Sequence, residues 1–138
     1  MPTGAIDLSR KGAQLRAMLE DMYQSVFADP ACVPRYFSDD YVQVTDGKTI
    51  GYAEFLAHLR HLQGLIATIE FEVLDAMCDG DRLADRHVVR LLRKDGTESR
   101  HEVYLFGTVR DGRFVAVSEA TCVLDGDARS KTLASATG

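Results

Sequence analysis

The chain has 138 residues, 46% of them hydrophobic and 27% charged, with a formal net charge of −5. That length supports a single core, and the acidic balance argues against nucleic acid as a partner, because phosphate binding needs clustered Lys and Arg. No apolar run approaches membrane-spanning length, and the opening "MPTGAIDLSRKGAQ" lacks a hydrophobic signal core, so the cytoplasm is the expected location.

Residues 1–11 read as a flexible leader, 12–125 as one domain, and the small, polar residues 126–138 as a flexible tail. From Gly12, "GAQLRAMLEDMYQSVFAD" places Leu15, Met18, Leu19, Met22, Val26 and Phe27 at helical spacing. Asp29-Pro30 stops that helix, since proline removes a donor and restricts the residue before it. A short second helix, "ACVPRYF", follows, kept brief by Pro34. "DYVQVTDGKT" alternates and turns at Asp46-Gly47, which predicts a strand and a tight turn. "GYAEFLAHLRHLQG" is a third helix with Phe55, Leu56, Leu59 and Leu62 on one face, and Gly64 ends it. His58 and His61 fall on its other side and read as solvated, because no Glu/His partner motif accompanies them.

Four long β-rich segments complete the domain: "ATIEFEVLDAM", "RLADRHVVRLLR", "ESRHEVYLFGTV" and "RFVAVSEATCVL". Each junction, "CDGD", "KDGT" and "RDGR", holds an Asp-Gly pair, a strong hairpin signal because type I′ turns need φ > 0 at both central residues. The fold class is α+β: a curved antiparallel sheet packed on amphipathic helices. Cys32, Cys78 and Cys122 have no metal or redox spacing; Cys122, alternating with small residues, reads as a buried, inert thiol.

Two-residue turns fix the register, so cross-strand partners can be counted. Counting from Asp111-Gly112 puts Tyr104 opposite Glu119. Counting from Asp95-Gly96 puts His87 opposite Tyr104 and Asp85 opposite Phe106. His87, Tyr104 and Glu119 are therefore expected in one row, flanked by Asp85, Phe106 and Val117. The second face would carry Arg86, Val88, Arg90, His101, Val103, Leu105, Ala116, Ser118, Ala120 and Cys122. A one-residue bulge in either hairpin would move part of the row across the sheet. The row admits two readings. It is either a buried, structurally paired polar network, or a catalytic set in which burial raises the Glu119 pKa and the imidazole shares its proton work.

The features "YFSDDYVQ" at 36–43, Gly51 opening the third helix, "GDRLADR" at 80–86 and "DGRFVAVSEAT" at 111–121 stand in an order that resembles the nuclear transport factor 2-like superfamily. The likeness is greatest to its SnoaL-like branch and runs from about Gln14 to Leu124. The resemblance implies a cone-shaped α+β barrel whose sheet wraps the helices around an inner cavity. It also implies a homodimer through the sheet's outer face, and enzymes such as ketosteroid isomerase, scytalone dehydratase, epoxide hydrolases and polyketide cyclases as relatives, beside non-catalytic binding modules. This sequence departs from the isomerase pattern: Thr45 stands at the base position, with Asp46 one residue late, and Tyr104 at the position of the second acid. The first-helix tyrosine has only Tyr23 nearby.

The expected function is binding of a small apolar, polyketide- or steroid-like molecule. As an enzyme it would add cofactor-independent acid/base chemistry on a carbonyl compound (isomerisation, dehydration or cyclisation), with Glu119, His87 and Tyr104 catalytic. Tyr23, Phe27, Phe37, Gln43, Phe55, Asp85, Phe106 and Val117 would line the ligand site. No cofactor or metal is expected; a set of His87, Glu119 and Asp85 is the distant metal alternative. The different-class alternative is a non-catalytic binding or dimerisation module.

Overall fold

The computed structural model describes residues 3–125; the tail predicted over 126–138 lies outside them. Helix α1 (Gly12–Ala28) leads through a 3-10 turn (Pro30–Cys32) and a one-turn helix α2 (Val33–Tyr36) into strands β1 (Phe37–Thr45) and β2 (Lys48–Gly51). Helix α3 (Tyr52–Leu65) follows, then four long strands: β3 (Ile66–Asp79), β4 (Arg82–Arg93), β5 (Glu98–Arg110) and β6 (Arg113–Asp125). The sheet order is β2-β1-β6-β5-β4-β3. Neighbours are antiparallel except β1 and β6, which run parallel. The sheet curves into a cone but leaves β2 and β3 as open edges, so it does not close into the expected barrel.

Helix α1 buries Leu15, Leu19, Met22, Val26 and Phe27, a stripe that fills the cone against Leu83, Val109 and Phe114. Its end is set by Asp29, whose N–H closes on the Ser25 carbonyl and whose carboxylate accepts from the Ala31 N–H. Pro30 then starts the 3-10 turn. The same helix covers the β3 edge: Glu20 accepts from the Val73 N–H at 2.9 Å and Gln24 from the Phe71 N–H at 3.0 Å. Backbone donors that would otherwise template another strand are thereby satisfied. At Gly107 an added Cβ would lie 2.4 Å from the Phe114 ring, so the glycine makes room for a fully buried aromatic.

Two expectations change. Residues 4–6 are pinned rather than loose: Gly4, Ala5 and Ile6 donate backbone bonds to Asp111, Arg35 and Gly112, and Ile6 joins the core. Cys122 is exposed, because its strand turns that side chain outward.

The turns decide which residues face the interior. Asp46-Gly47 and Asp111-Gly112 both have positive φ at each residue, the type I′ pattern expected. The β4–β5 loop is one residue longer. Gly96 takes φ 90°, its N–H donates to Arg93 and the Arg93 N–H donates to the Thr97 carbonyl. That is a three-residue turn with a left-handed glycine. His87 therefore pairs with Val103 rather than Tyr104. On the other side, Thr108 pairs with Ala116 and Val109 with Phe114, leaving Val115 as a bulge. Glu119 therefore pairs with Leu105 rather than Tyr104. Both slips reverse β5 against its neighbours and leave β4 and β6 in phase. His101, Val103 and Leu105, expected outside, are buried; Tyr104 and Phe106, expected inside, are 45% and 59% exposed.

Candidate functional site

The corrected row reads Asp85, Leu105, Glu119, Thr45 across β4, β5, β6 and β1. Asp85 and Glu119 are thus two strands apart, roughly 10 Å at the backbone for a strand spacing near 4.8 Å, with Leu105 as the floor between them. Over this row lies a cavity of about 170 Å³, walled by α1, α3 and the inner face of the sheet.

On the β4 side, Asp85 accepts two hydrogen bonds. Tyr23 of α1 donates its hydroxyl to Oδ2 at 2.5 Å, and His87 meets Oδ1 through Nδ1 at 2.7 Å. Asp85 and His87 are buried. The Tyr23 ring lies against the imidazole at a centroid distance of 4.4 Å, with Phe71 on it at 5.3 Å. A carboxylate on Nδ1 holds the proton there and leaves Nε2 as the basic nitrogen of the neutral ring. Burial, then the Asp85 carboxylate, push the Tyr23 phenol well above its ordinary pKa, so it stays a donor.

On the β6 side, a chain of bonds runs along β1 and crosses to Glu119. The Tyr41 hydroxyl donates to Gln43 Oε1 at 2.8 Å, Gln43 Nε2 to Thr45 Oγ1 at 2.9 Å, and Thr45 Oγ1 to Glu119 Oε1 at 2.9 Å. Alternation along β1 creates this file, since residues two apart share a face. Next to it, Asp46 accepts from both the Thr121 N–H and hydroxyl and donates its own N–H to the Glu119 carbonyl, clamping β6 in place. Burial raises the Glu119 pKa above 4.5; the Thr45 bond and His87 oppose this, and Asp85 and Asp46 add to it. Tyr41 is raised well above its usual value by burial, then by Glu119.

Of the site residues read from the sequence, Tyr23, Phe27, Phe37, Gln43, Phe55, His87, Val117 and Glu119 line the cavity. Asp85 stands directly behind Tyr23 and His87. Tyr104 and Phe106 do not: they lie on the outer face, so Tyr104 cannot serve as the oxyanion donor. Among the described residues no group of three or more His, Cys, Asp or Glu is placed to hold a metal, and Asp85, His87 and Glu119 do not form one. Two histidines were missed. His101 lines the cavity because β5 is reversed. His58 is buried in the cavity wall rather than solvated; its spacing of three from Phe55 places it on the apolar face of α3, a signal present in the sequence.

A SnoaL-like domain matches residues 15–117, and the chain belongs to that family. Over 100 residues it is 29% identical to an uncharacterised protein of Schizosaccharomyces pombe, covering 72% of this chain and 77% of that one. Among solved structures it is similar to IdmH from Streptomyces antibioticus, a proposed polyketide cyclase. That match has 19% identity and a TM-score of 0.62, and covers 70% of this chain and 84% of IdmH. It is also similar to an LEH-like epoxide hydrolase of M. tuberculosis, with 21% identity and a TM-score of 0.64, covering 78% and 80% of the two chains. The fold they share is the NTF2-like cone.

Proposed function

We propose that this protein binds a small, mainly apolar carbonyl compound in the cone and moves a proton on it without a cofactor. The observation that carries the reading is the pairing of an Asp85-oriented His87 with a carboxyl of raised pKa, Glu119, across one apolar cavity. His87 Nε2 would take a proton from the carbon next to the carbonyl, and Glu119, in its protonated form, would hold the oxygen as it gains charge. Return of the proton at another carbon isomerises the compound; loss of a β-hydroxyl as water dehydrates it. Asp85 and Tyr23 position the imidazole, and Thr45 and Gln43 position Glu119. The volume favours the smaller of the expected ligands: a cavity near 150 Å³ takes a single benzene ring, and a steroid would need this one to open.

The test is proton exchange. Small cyclic and aryl ketones in D₂O, followed by proton NMR, are expected to lose their α-proton signals faster with the wild-type protein than with buffer. Equal rates with Glu119→Gln or His87→Ala would sink the reaction. A wild type that binds such ketones without exchange would instead favour the non-catalytic module, in which the Tyr41–Gln43–Thr45–Glu119 file is structural.

The proposed working unit is a cytoplasmic homodimer of the domain read over residues 12–125, together with the segment 4–6 that is bonded to it. Three unpaired cysteines suit a reducing compartment. The outer face supports pairing through a row of Met77, Ala84, Phe106 and Ser118, with Tyr104 and Ala120 in the next row. Met77, Phe106 and Tyr104 are exposed large hydrophobic side chains that such an interface would cover. Phe106→Glu is expected to convert the dimer to monomer in sedimentation without loss of fold. A wild type that sediments as a monomer at every concentration would refute this.

A further inference from the structure

His58 has no part in the proton chemistry just described, yet it is placed at some expense. It projects from the middle of α3, is 7% exposed, lines the cavity, and its buried Nδ1 has no hydrogen-bond partner. The backbone groups around it are committed to the helix ladder and offer it nothing. Its neighbours on the same face, Phe55, Leu59 and Leu62, are apolar, and a leucine at 58 would complete that wall with no orphaned nitrogen. Burial, with help from His61 and Lys48, lowers its pKa to about 4, so the ring is neutral and offers one donor and one acceptor. Native structures rarely leave such a group unanswered, and those that do point to a missing partner. The other polar side chains that line the cavity, Glu119 and His87 among them, come from α1 and the sheet, and His58 is the polar one that α3 adds to Phe55, Leu59 and Leu62.

We propose that His58 is a second anchor, holding an oxygen substituent at the end of the ligand remote from Glu119 and His87. The ligand class is then a single small ring bearing two oxygen functions, a carbonyl at the sheet end and a hydroxyl or second carbonyl at the helix end. This rests on the small-carbonyl reading above and narrows it. It also explains why the helical wall spends a polar residue where an apolar one would pack better.

The experiment compares two probes that share the carbonyl and differ only in the far oxygen, acetophenone and 4-hydroxyacetophenone. Dissociation constants come from ligand-observed NMR titration of the full chain. Wild type is expected to favour the hydroxylated ketone about tenfold, the scale of one good hydrogen bond. His58→Leu should erase that ratio, and His58→Gln, which keeps a donor and an acceptor, should retain part of it. The thermal midpoint of His58→Leu should equal or exceed that of wild type, which separates a ligand anchor from a structural residue. An unchanged ratio in His58→Leu, or a wild type that binds neither ketone or both equally, overturns the proposal. The α-proton exchange assay reads the reaction independently: a His58-dependent ratio without exchange keeps the anchor and removes the chemistry, while exchange with no His58 dependence does the reverse.

Discussion

Asp85→Asn is expected to slow ketone α-proton exchange by roughly 10³–10⁴-fold, the scale on which a wrong imidazole tautomer costs a serine protease. The carboxylate accepts from two donors at once, Tyr23 Oη at one oxygen and His87 Nδ1 at the other. An amide of the same size has one acceptor and one donor. If its oxygen meets Tyr23, its NH₂ points at His87 Nδ1, which must then carry the lone pair; the proton moves to Nε2 and the base is lost. If its oxygen meets His87, the NH₂ confronts the Tyr23 hydroxyl, which must turn from donor to acceptor and leave its own proton without a partner. The first arrangement keeps both bonds at the cost of the tautomer, and the second strands a buried hydroxyl proton, so stability should fall by about 1–3 kcal/mol only if the second is adopted. Nitrogen-15 NMR of the histidine rings reads the tautomer directly. Full activity with the proton still on Nδ1 would show that Asp85 does not orient the base.

How this site came to be half legible follows from particular residues. Glu119 stands out because Val115, Val117, Thr121 and Val123 alternate around it, a period that survives any error in pairing. His87 and Asp85 alternate in the same way on β4. What failed was the phase of β5, which depends on loop geometry. "KDGT" and "RDGR" look alike, yet the first forms a three-residue turn around Gly96 and the second a two-residue turn followed by a bulge at Val115. In the first, Asp95 accepts from both the Thr97 N–H and its hydroxyl; in the second, the bulge accompanies Phe114 entering the core over Gly107. The two slips add up to a shift of two residues between β4 and β6, which preserves the face, so Glu119 and His87 stayed on one side with Asp85 now level with Glu119, while Tyr104 and Phe106 moved to the outer face. Tyr23 found its partner Asp85 across 62 residues of sequence, a contact that helical periodicity cannot reveal. The α+β class, helices packed on a curved sheet, was readable from element order because three amphipathic helices must cover one face of a long sheet; the cone came from the resemblance to the nuclear transport factor 2-like superfamily.

Glu119→Gln should raise thermal stability in neutral and mildly alkaline solution while lowering activity. The sign follows from burial. The folded carboxyl holds its proton more tightly than the unfolded one, so the folded state binds more protons between pH 4.5 and the raised value. Stability is therefore complete below 4.5 and declines as pH climbs through that window, after which the penalty is constant. Glutamine carries no charge to desolvate and keeps an oxygen for the Thr45 hydroxyl. The variant's melting temperature should match wild type near pH 4.5 and exceed it above the window, read by thermal melts across the pH range. Activity should fall roughly 10²–10³-fold, as for loss of one donor to a developing oxyanion, since the amide donates far more weakly than a carboxylic acid. The alkaline limb of the wild-type rate profile, produced when Glu119 loses its proton, should vanish with it. A gain in stability paired with a loss of activity marks a carboxyl retained against the interest of the fold. If the variant instead melts lower at every pH, the file from Tyr41 to Thr45 exists to hold the sheet, and the cone binds its ligand without transforming it.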